Sequence, residues 1–320
     1  MPHKKILVTG STGFIGRALC LELVKKGYSV YAVARRPQFA PDGTIPVYVD
    51  EINSQTNIRS TLKNIDVVLH VAGKAHAPRQ QNPKATDHLY EINVLGTLHI
   101  AQQAFDENVK RFVFISSIGV NGAKTSCSPF TEKDVPYPQS PYAQSKYTAE
   151  QSLQNLAKEK GKELVIVRPP LVYGPDAPGN FRLLLSAILK RLPLPFAAVK
   201  NRRSFLALDN LIDFLSLCAD RDLSPAAANE VFLVSDGEDV STPEFLTKIS
   251  NAFQKKLLLV PVPPMLLRAS ATFFHQQHRI SGLLDSLVID NSKATRLLHW
   301  QPKTTMDEQL MKIAHEMKRT

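Results

Sequence analysis

Lys5-Ile6-Leu7-Val8-Thr9-Gly10-Ser11-Thr12-Gly13-Phe14-Ile15-Gly16 is the stretch whose reading decides the fold. Its first five residues form a short apolar run with β-branched members, the composition of a strand buried on both faces. Three glycines then recur every third position, and Phe14 to Lys26 reads as a helix that Gly27 closes. Glycines at such a turn let the main chain approach a bound group and let the helix pack tightly on its strand. The helix N-terminus presents unpaired N–H groups to an anion. Strand, turn and helix in that order predict a diphosphate cradle. The spacing is G-x-x-G-x-x-G, a variant of the G-x-G-x-x-G pattern.

Outward from this turn, Ser29 to Ala34 reads as a second buried strand, followed by Arg35-Arg36. An acid at the end of that strand holds the adenosine ribose hydroxyls in NAD-binding folds, and here Ala34 stands in its place. Two arginines fit a 2′-phosphate through bidentate hydrogen bonds, so NADP(H) is favoured and NAD(H) is the alternative. Pro46 to Asp50 is a third strand, with Asp50 a candidate partner for the adenine amino group. Asp66 to Gly73 is a fourth, containing His70 as a structural histidine. Asn82 to Phe105 is expected to form one long helix carrying Asn93-Val94-Leu95-Gly96-Thr97. Arg111 to Ser117 and Glu163 to Arg168 are the fifth and sixth strands. Strands alternating with helices, without an internal repeat, predict an α/β fold with a doubly wound parallel sheet.

A chain of 320 residues is long enough for one large or two interleaved domains. Residues 1–170 are assigned to dinucleotide binding, with a return to the sheet around 205–233, and 171–320 mainly to a smaller substrate-binding α/β region. The net charge is +10, but the basic residues do not alternate with stacking aromatics, which argues against nucleic acid and for small polyanions. The most apolar region, Leu257 to Leu267, is broken by Pro261, Pro263 and Pro264, so no membrane insertion is expected. Cys20, Cys127 and Cys218 are read as reduced thiols without metal-ligand spacing. With the first strand starting at Lys5, they give the expectation of a cytoplasmic protein.

Chemistry concentrates at Ser116-Ser117, at the end of the fifth strand, and at Tyr142-Ala143-Gln144-Ser145-Lys146. Tyr142 and Lys146 are four apart and share a helix face. A cation about 5 Å from the phenol, at an effective dielectric near 20, favours the phenolate by roughly 3 kcal/mol, or about two pKa units. Such a tyrosine works as proton donor and acceptor, with a serine hydroxyl opposite to bind the reacting oxygen.

Thr9-Gly10-x-x-Gly13-x-x-Gly16, Asn93-Val-Leu-Gly-Thr, Ser116-Ser117 and Tyr142-x-x-x-Lys146 occur in an order and spacing that resemble the extended short-chain dehydrogenase/reductases. The resemblance is to the NAD-dependent epimerase/dehydratase family and its nucleotide-sugar branch. It implies a catalytic set of Ser117, Tyr142, Lys146 and Asn93. Ser117 is preferred to Ser116 because its separation of 25 residues from Tyr142 matches the UDP-galactose 4-epimerase pattern. The resemblance also implies cofactor contacts at Gly10, Thr12, Gly13, Phe14, Ile15 and Gly16, at Ala72 and Gly73, at Tyr142 and Lys146, and at Pro169. Two features depart from the branch. Val120-Asn121-Gly122 replaces a frequent Tyr-Gly, and Ser117-Ile118-Gly119 lacks the acids of the 4,6-dehydratases, which disfavours dehydration.

Substrate contacts implied by the same resemblance are Ser117, Asn180, Phe196, Arg203 and Arg279, with Asp209 capping a helix from Leu211 to Ala219. Leu192 to Phe196, Asn201 to Ser204 and Val234 to Val240 are similar to 4-keto reductases of UDP-N-acetyl-6-deoxy-hexosamines in polysaccharide and O-antigen synthesis. The resemblance therefore implies a UDP-sugar substrate, reduction at C4 and a homodimer. A UDP-glucose or UDP-N-acetylglucosamine 4-epimerase with bound NAD is the alternative, and a non-catalytic NADP-binding regulator is a third reading.

Overall fold

The computed structural model describes residues 4–75, 83–273 and 277–319. Among the described residues ten strands are formed: β1 Lys5–Thr9, β2 Ser29–Ala34, β3 Ile45–Tyr48, β4 Val67–His70, β5 Arg111–Ile115, β6 Glu163–Arg168, β7 Leu171–Tyr173, β8 Arg203–Ala207, β9 Val231–Leu233 and β10 Asp239–Val240. Seven make a parallel sheet in the order β3-β2-β1-β4-β5-β6-β9. The remaining three form a second sheet, β10-β8-β7, with β7 parallel and β10 antiparallel to β8. Strand order reverses between β1 and β4, and an open parallel sheet has its crevice beyond the carboxyl ends of the strands at such a point.

Period-two alternation sorts the strand residues between two cores. Ile6 and Val8 of β1 face a cluster built with Leu19, Leu23, Leu211 and Phe214 from the helices Phe14–Lys25 and Leu208–Ala219. Leu7 faces the opposite cluster, with Ile100, Ala104, Leu153 and Leu156 from the helices Thr97–Asp106 and Pro141–Lys160. Both faces are covered, which accounts for the nearly uniform apolar character of β1, β4 and β5. A third cluster around Phe181, Phe205, Phe245 and Leu310 holds the C-terminal elements together.

Two expectations are corrected and a third is narrowed. The long helix predicted over 82–105 is three pieces, Pro83–Tyr90, a π-helical stretch Glu91–Gly96, and Thr97–Asp106. The reading at 3.6 residues per turn misses the π stretch, whose wider turn carries Asn93 into the interior at 0 % exposure. Asp209 does not cap its helix; it lies in the first turn, where it pairs with Lys312 at 2.7 Å. The return to the large sheet is made at β9, whereas β8 joins the smaller sheet. Among the described residues no helix is long and apolar enough to cross a membrane.

Candidate active site

The glycine turn is built by sterics. Gly10 has φ +67°, and a Cβ there would lie 2.8 Å from the Ala72 nitrogen, so the loop after β4 closes directly on the turn. A Cβ at Gly16 would collide with the Gly10 carbonyl. Helix and turn therefore touch backbone to backbone. The turn is closed by Gly13 N–H donating to Gly10 O at 3.0 Å, and Ser11 Oγ donates to Val33 O at 2.7 Å, tying it to β2.

A cleft of about 600 Å³ opens at this point. Gly10, Thr12, Gly13, Phe14, Ile15 and Gly16 line it, together with Ala72, Gly73 and Pro169. Ser117, Tyr142 and Lys146 line the same cleft. Arg35 lines the cleft beside Ala34; Arg36 lies outside it, with its guanidinium 5.9 Å from the Phe39 ring centroid. Asp50 is exposed and also outside the lining, where its neighbour Glu51 takes part. The two-residue basic pair and the Asp50 contact thus reduce to Arg35 and Glu51 at the wall.

Asn93 stands behind that wall. Its Nδ2 donates to Ser145 Oγ at 3.0 Å and to Lys74 O at 3.1 Å, while its Oδ1 accepts from Lys74 N–H at 2.8 Å. Ser145 Oγ in turn donates to Tyr142 O at 2.8 Å. Asn93 therefore fixes the first turn of the helix that carries both Tyr142 and Lys146. Ser140 caps that helix, accepting from Ala143 N–H at 3.1 Å.

Lys146 is 3 % exposed; its Nζ donates to Ile115 O at 2.8 Å and lies 4.5 Å from the Phe114 ring centroid. Burial lowers its pKa to about 8, with the Glu150 carboxylate acting in the opposite direction. Burial pushes the Tyr142 phenol up to about 12. Lys146 is expected from sequence to lower the Tyr142 pKa, whereas burial raises it. Desolvation outweighs the cation, whose ammonium is committed to the β5 carbonyl.

Supporting groups complete the site, among them His70, expected from sequence to be structural, and Arg168, to which the sequence reading gives no role. His70 bonds Thr9 Oγ1 and Thr97 Oγ1 at 3.0 Å each through its two ring nitrogens, and burial lowers its pKa to about 3, aided by the Lys146 charge. It is a neutral strut between the glycine turn and the Asn93 segment. Arg168 Nη1 donates to Asn121 Oδ1 at 2.9 Å, and the same guanidinium forks onto buried Glu150 at 2.9 and 2.5 Å. Ser145 and Lys74 were legible only as neighbours of the motif residues. Ser116 Oγ is buried on the cleft wall and has no hydrogen-bond partner among the described residues. An orphan hydroxyl, a cradle that Cβ atoms would fill and a free helix N-terminus fit a dinucleotide in this cleft.

Ser117 lines the cleft, whereas Asn180, Phe196 and Arg203 do not. Asn180 begins the helix Asn180–Leu189, and its amide nitrogen lies 3.7 Å from where a Gly282 Cβ would be. Arg203 Nη1 donates to Asp285 O at 2.7 Å, and burial lowers its pKa to about 10. Both therefore converge on residues 282–285. Phe196 is 5 % exposed and packs in the C-terminal core. Arg279 lies outside the described side chains.

A profile described as the NAD dependent epimerase/dehydratase family matches residues 6–232. The chain belongs to this family. Within the epimerase/dehydratase family it is 39 % identical to a UDP-glucose 4-epimerase of Vibrio cholerae, over 95 % of this chain and 93 % of that protein. It is 25 % identical to a GDP-6-deoxy-D-mannose reductase of Pseudomonas aeruginosa, over 97 % and 96 %. Its fold is similar to that of a UDP-glucuronic acid 4-epimerase from Bacillus cereus, with TM-score 0.79, 24 % identity and coverage of 98 % and 99 %. The fold is that of the extended short-chain dehydrogenase/reductases, a seven-stranded parallel sheet with flanking helices.

Proposed function

We propose that the protein is a nucleotide-sugar oxidoreductase that reduces the C4 keto group of a UDP-4-keto-6-deoxy-N-acetylhexosamine with NADPH, in surface polysaccharide synthesis. The carrying observation is that Ser117, Tyr142 and Lys146 line the same cleft as the glycine turn and Arg35. In this reading residues 1–170 hold the dinucleotide and 171–320 mainly the sugar nucleotide. When bound, the dinucleotide supplies the hydride. Ser117 hydrogen-bonds the keto oxygen, and Tyr142 transfers its hydroxyl proton to that oxygen as C4 is reduced. Lys146 stabilises the resulting phenolate, and Asn93 holds the helix turn that carries both. Asn180 and Arg203, brought together at residues 282–285, bind the UDP diphosphate, with Arg279 on the same segment. A phenol held protonated at neutral pH is a proton donor, the form that reduction needs.

The test supplies the UDP-4-keto sugar with NADPH and follows the reduced nicotinamide absorbance. In parallel, UDP-glucose and UDP-N-acetylglucosamine are incubated without added cofactor. Stoichiometric NADPH consumption with no C4 epimer formed is the expected outcome. The second reading is a 4-epimerase with retained NAD, favoured by the 39 % identity to the Vibrio cholerae protein. C4 epimer interconversion without net consumption assigns the protein to it.

Cofactor choice is a separate prediction. Arg35→Ala/Arg36→Ala is expected to weaken NADPH binding by roughly 2–3 kcal/mol, the worth of charge-assisted phosphate hydrogen bonds. Arg35 supplies most of that effect because it alone of the two lines the cleft. NADH binding, measured by the same fluorescence titration, should be nearly unchanged. Equal losses for both cofactors would remove the 2′-phosphate assignment.

A further inference from the structure

Two stretches account for the whole net charge of the chain. Residues 177–208 and 245–284 hold eleven of the 39 lysines and arginines and none of the 29 acids, leaving 28 cations against 29 acids elsewhere. The fold joins the two stretches. Leu194 N–H donates to Leu258 O at 2.8 Å, and Val260 N–H donates to Leu194 O at 2.9 Å. Arg202, Lys248 and Arg268 reach acids outside the stretches. Lys190, Arg191, Lys255 and Lys256, which flank the bridge, are exposed and have no acidic partner among the described residues.

Apolar side chains of the same two acid-free stretches also stand exposed. Leu192 is 50 % exposed, Leu258 40 % and Val260 42 %, and on the helix Pro264–Phe273 that follows Met265 reaches 82 % and Leu266 60 %. Aliphatic side chains interleaved with unpaired cations suit one environment in particular, the interface of an anionic bilayer. Ammonium and guanidinium groups meet headgroup phosphates there, while the aliphatic groups enter the boundary of the acyl region. A second copy of this chain is disfavoured as occupant, because a two-fold contact would set these cations against themselves. Nucleic acid is disfavoured because the exposed apolar groups are aliphatic and offer no ring for base stacking.

We propose that this face of the C-terminal half docks the protein on anionic membrane surfaces, lying on the bilayer without crossing it. The proposal is independent of the sugar and cofactor assignments. It is tested by co-sedimentation with vesicles of phosphatidylcholine alone and of phosphatidylcholine with one third phosphatidylglycerol. Binding to the anionic vesicles is expected to be at least about tenfold stronger, and only partly released by salt. The variant Lys190→Gln/Arg191→Gln/Lys255→Gln/Lys256→Gln should lose about tenfold. Lys63→Gln/Lys124→Gln/Lys133→Gln/Lys158→Gln removes the same charge from exposed sites on the other half and should lose no more than about twofold. Met265→Ser/Leu266→Ser should abolish the salt-resistant part. Unchanged circular dichroism establishes that each variant is folded. Absence of a preference for phosphatidylglycerol, or equal losses in the two charge variants, overturns the proposal. So does a wild-type dimer that Met265→Ser/Leu266→Ser converts to monomer by sedimentation velocity with vesicle binding unchanged.

Discussion

Replacing Tyr142 with phenylalanine is expected to lower kcat by roughly 10³ while leaving NADPH binding within about twofold of the unmodified protein. The substitution removes one oxygen and keeps the ring, so the packing at the start of the helix Pro141–Lys160 is retained. What disappears is the proton that reaches the keto oxygen as C4 takes up hydride, an interaction made only in the transition state. Ser117 remains to hydrogen-bond that oxygen, and this sets the residual rate. Ser116 does not replace it. Its hydroxyl lies on the same wall but is buried at 3 % exposure, whereas Ser117 is only half-buried. A kinetic isotope effect with C4-deuterated NADPH establishes that hydride transfer limits the rate. Turnover within tenfold of normal under that condition would falsify the assignment of Tyr142 as proton donor.

Much of this arrangement was legible in the chain because the decisive contacts are local. A parallel sheet covered on both faces writes its strands as apolar runs, and Ser29–Ala34 and Glu163–Arg168 were read to the residue. Tyr142 and Lys146 lie one helical turn apart, so their shared face follows from periodicity alone. The illegible parts depend on distant partners. Arg203 meets Asp285 across 82 residues, and no local pattern marks that pairing. Phe196 is expected at the substrate from resemblance alone, and no local pattern marks its packing in the C-terminal core. The π stretch at Glu91–Gly96 escapes a helical reading because its flanks keep ordinary helical periodicity. It matters because Gly96 packs within 3.0 Å of Asn53 main-chain atoms when a Cβ is placed on it, so the bulge sits against the loop beyond β3. The protonation states were the least legible, since desolvation depends on everything that surrounds a group.

That desolvation makes Lys146 costly to the empty protein, and Lys146→Met should show it. Unfolded, this lysine titrates at the ordinary 10.5; folded, burial brings it to about 8. Between those values the unfolded chain binds a proton that the folded chain does not, so the Lys146 contribution to stability rises with pH across this window. Below about 8 both states are protonated, and the buried ammonium costs up to about 3 kcal/mol, from 1.36 kcal/mol per pKa unit. Methionine keeps the unbranched length without the charge, although Ile115 O then loses the donor it has at 2.8 Å. The net expectation at pH 7 is a gain of roughly 1–2 kcal/mol, after about 1–2 kcal/mol for the unsatisfied carbonyl. Denaturant unfolding of the cofactor-free protein measures it. Stability of the natural sequence should climb between pH 8 and 10.5 relative to the variant, and the two curves should run parallel below pH 7. Turnover should move the opposite way, falling by roughly 10² or more because the phenolate left by proton transfer has no cation beside it. In the natural protein the same titration predicts loss of kcat/KM as pH rises through about 8. A variant less stable than the natural chain at pH 7, with flat pH dependence in both, would mean that Lys146 is held by its contacts at no electrostatic cost. A stability gained at the expense of turnover would instead identify the buried ammonium as a group retained for chemistry.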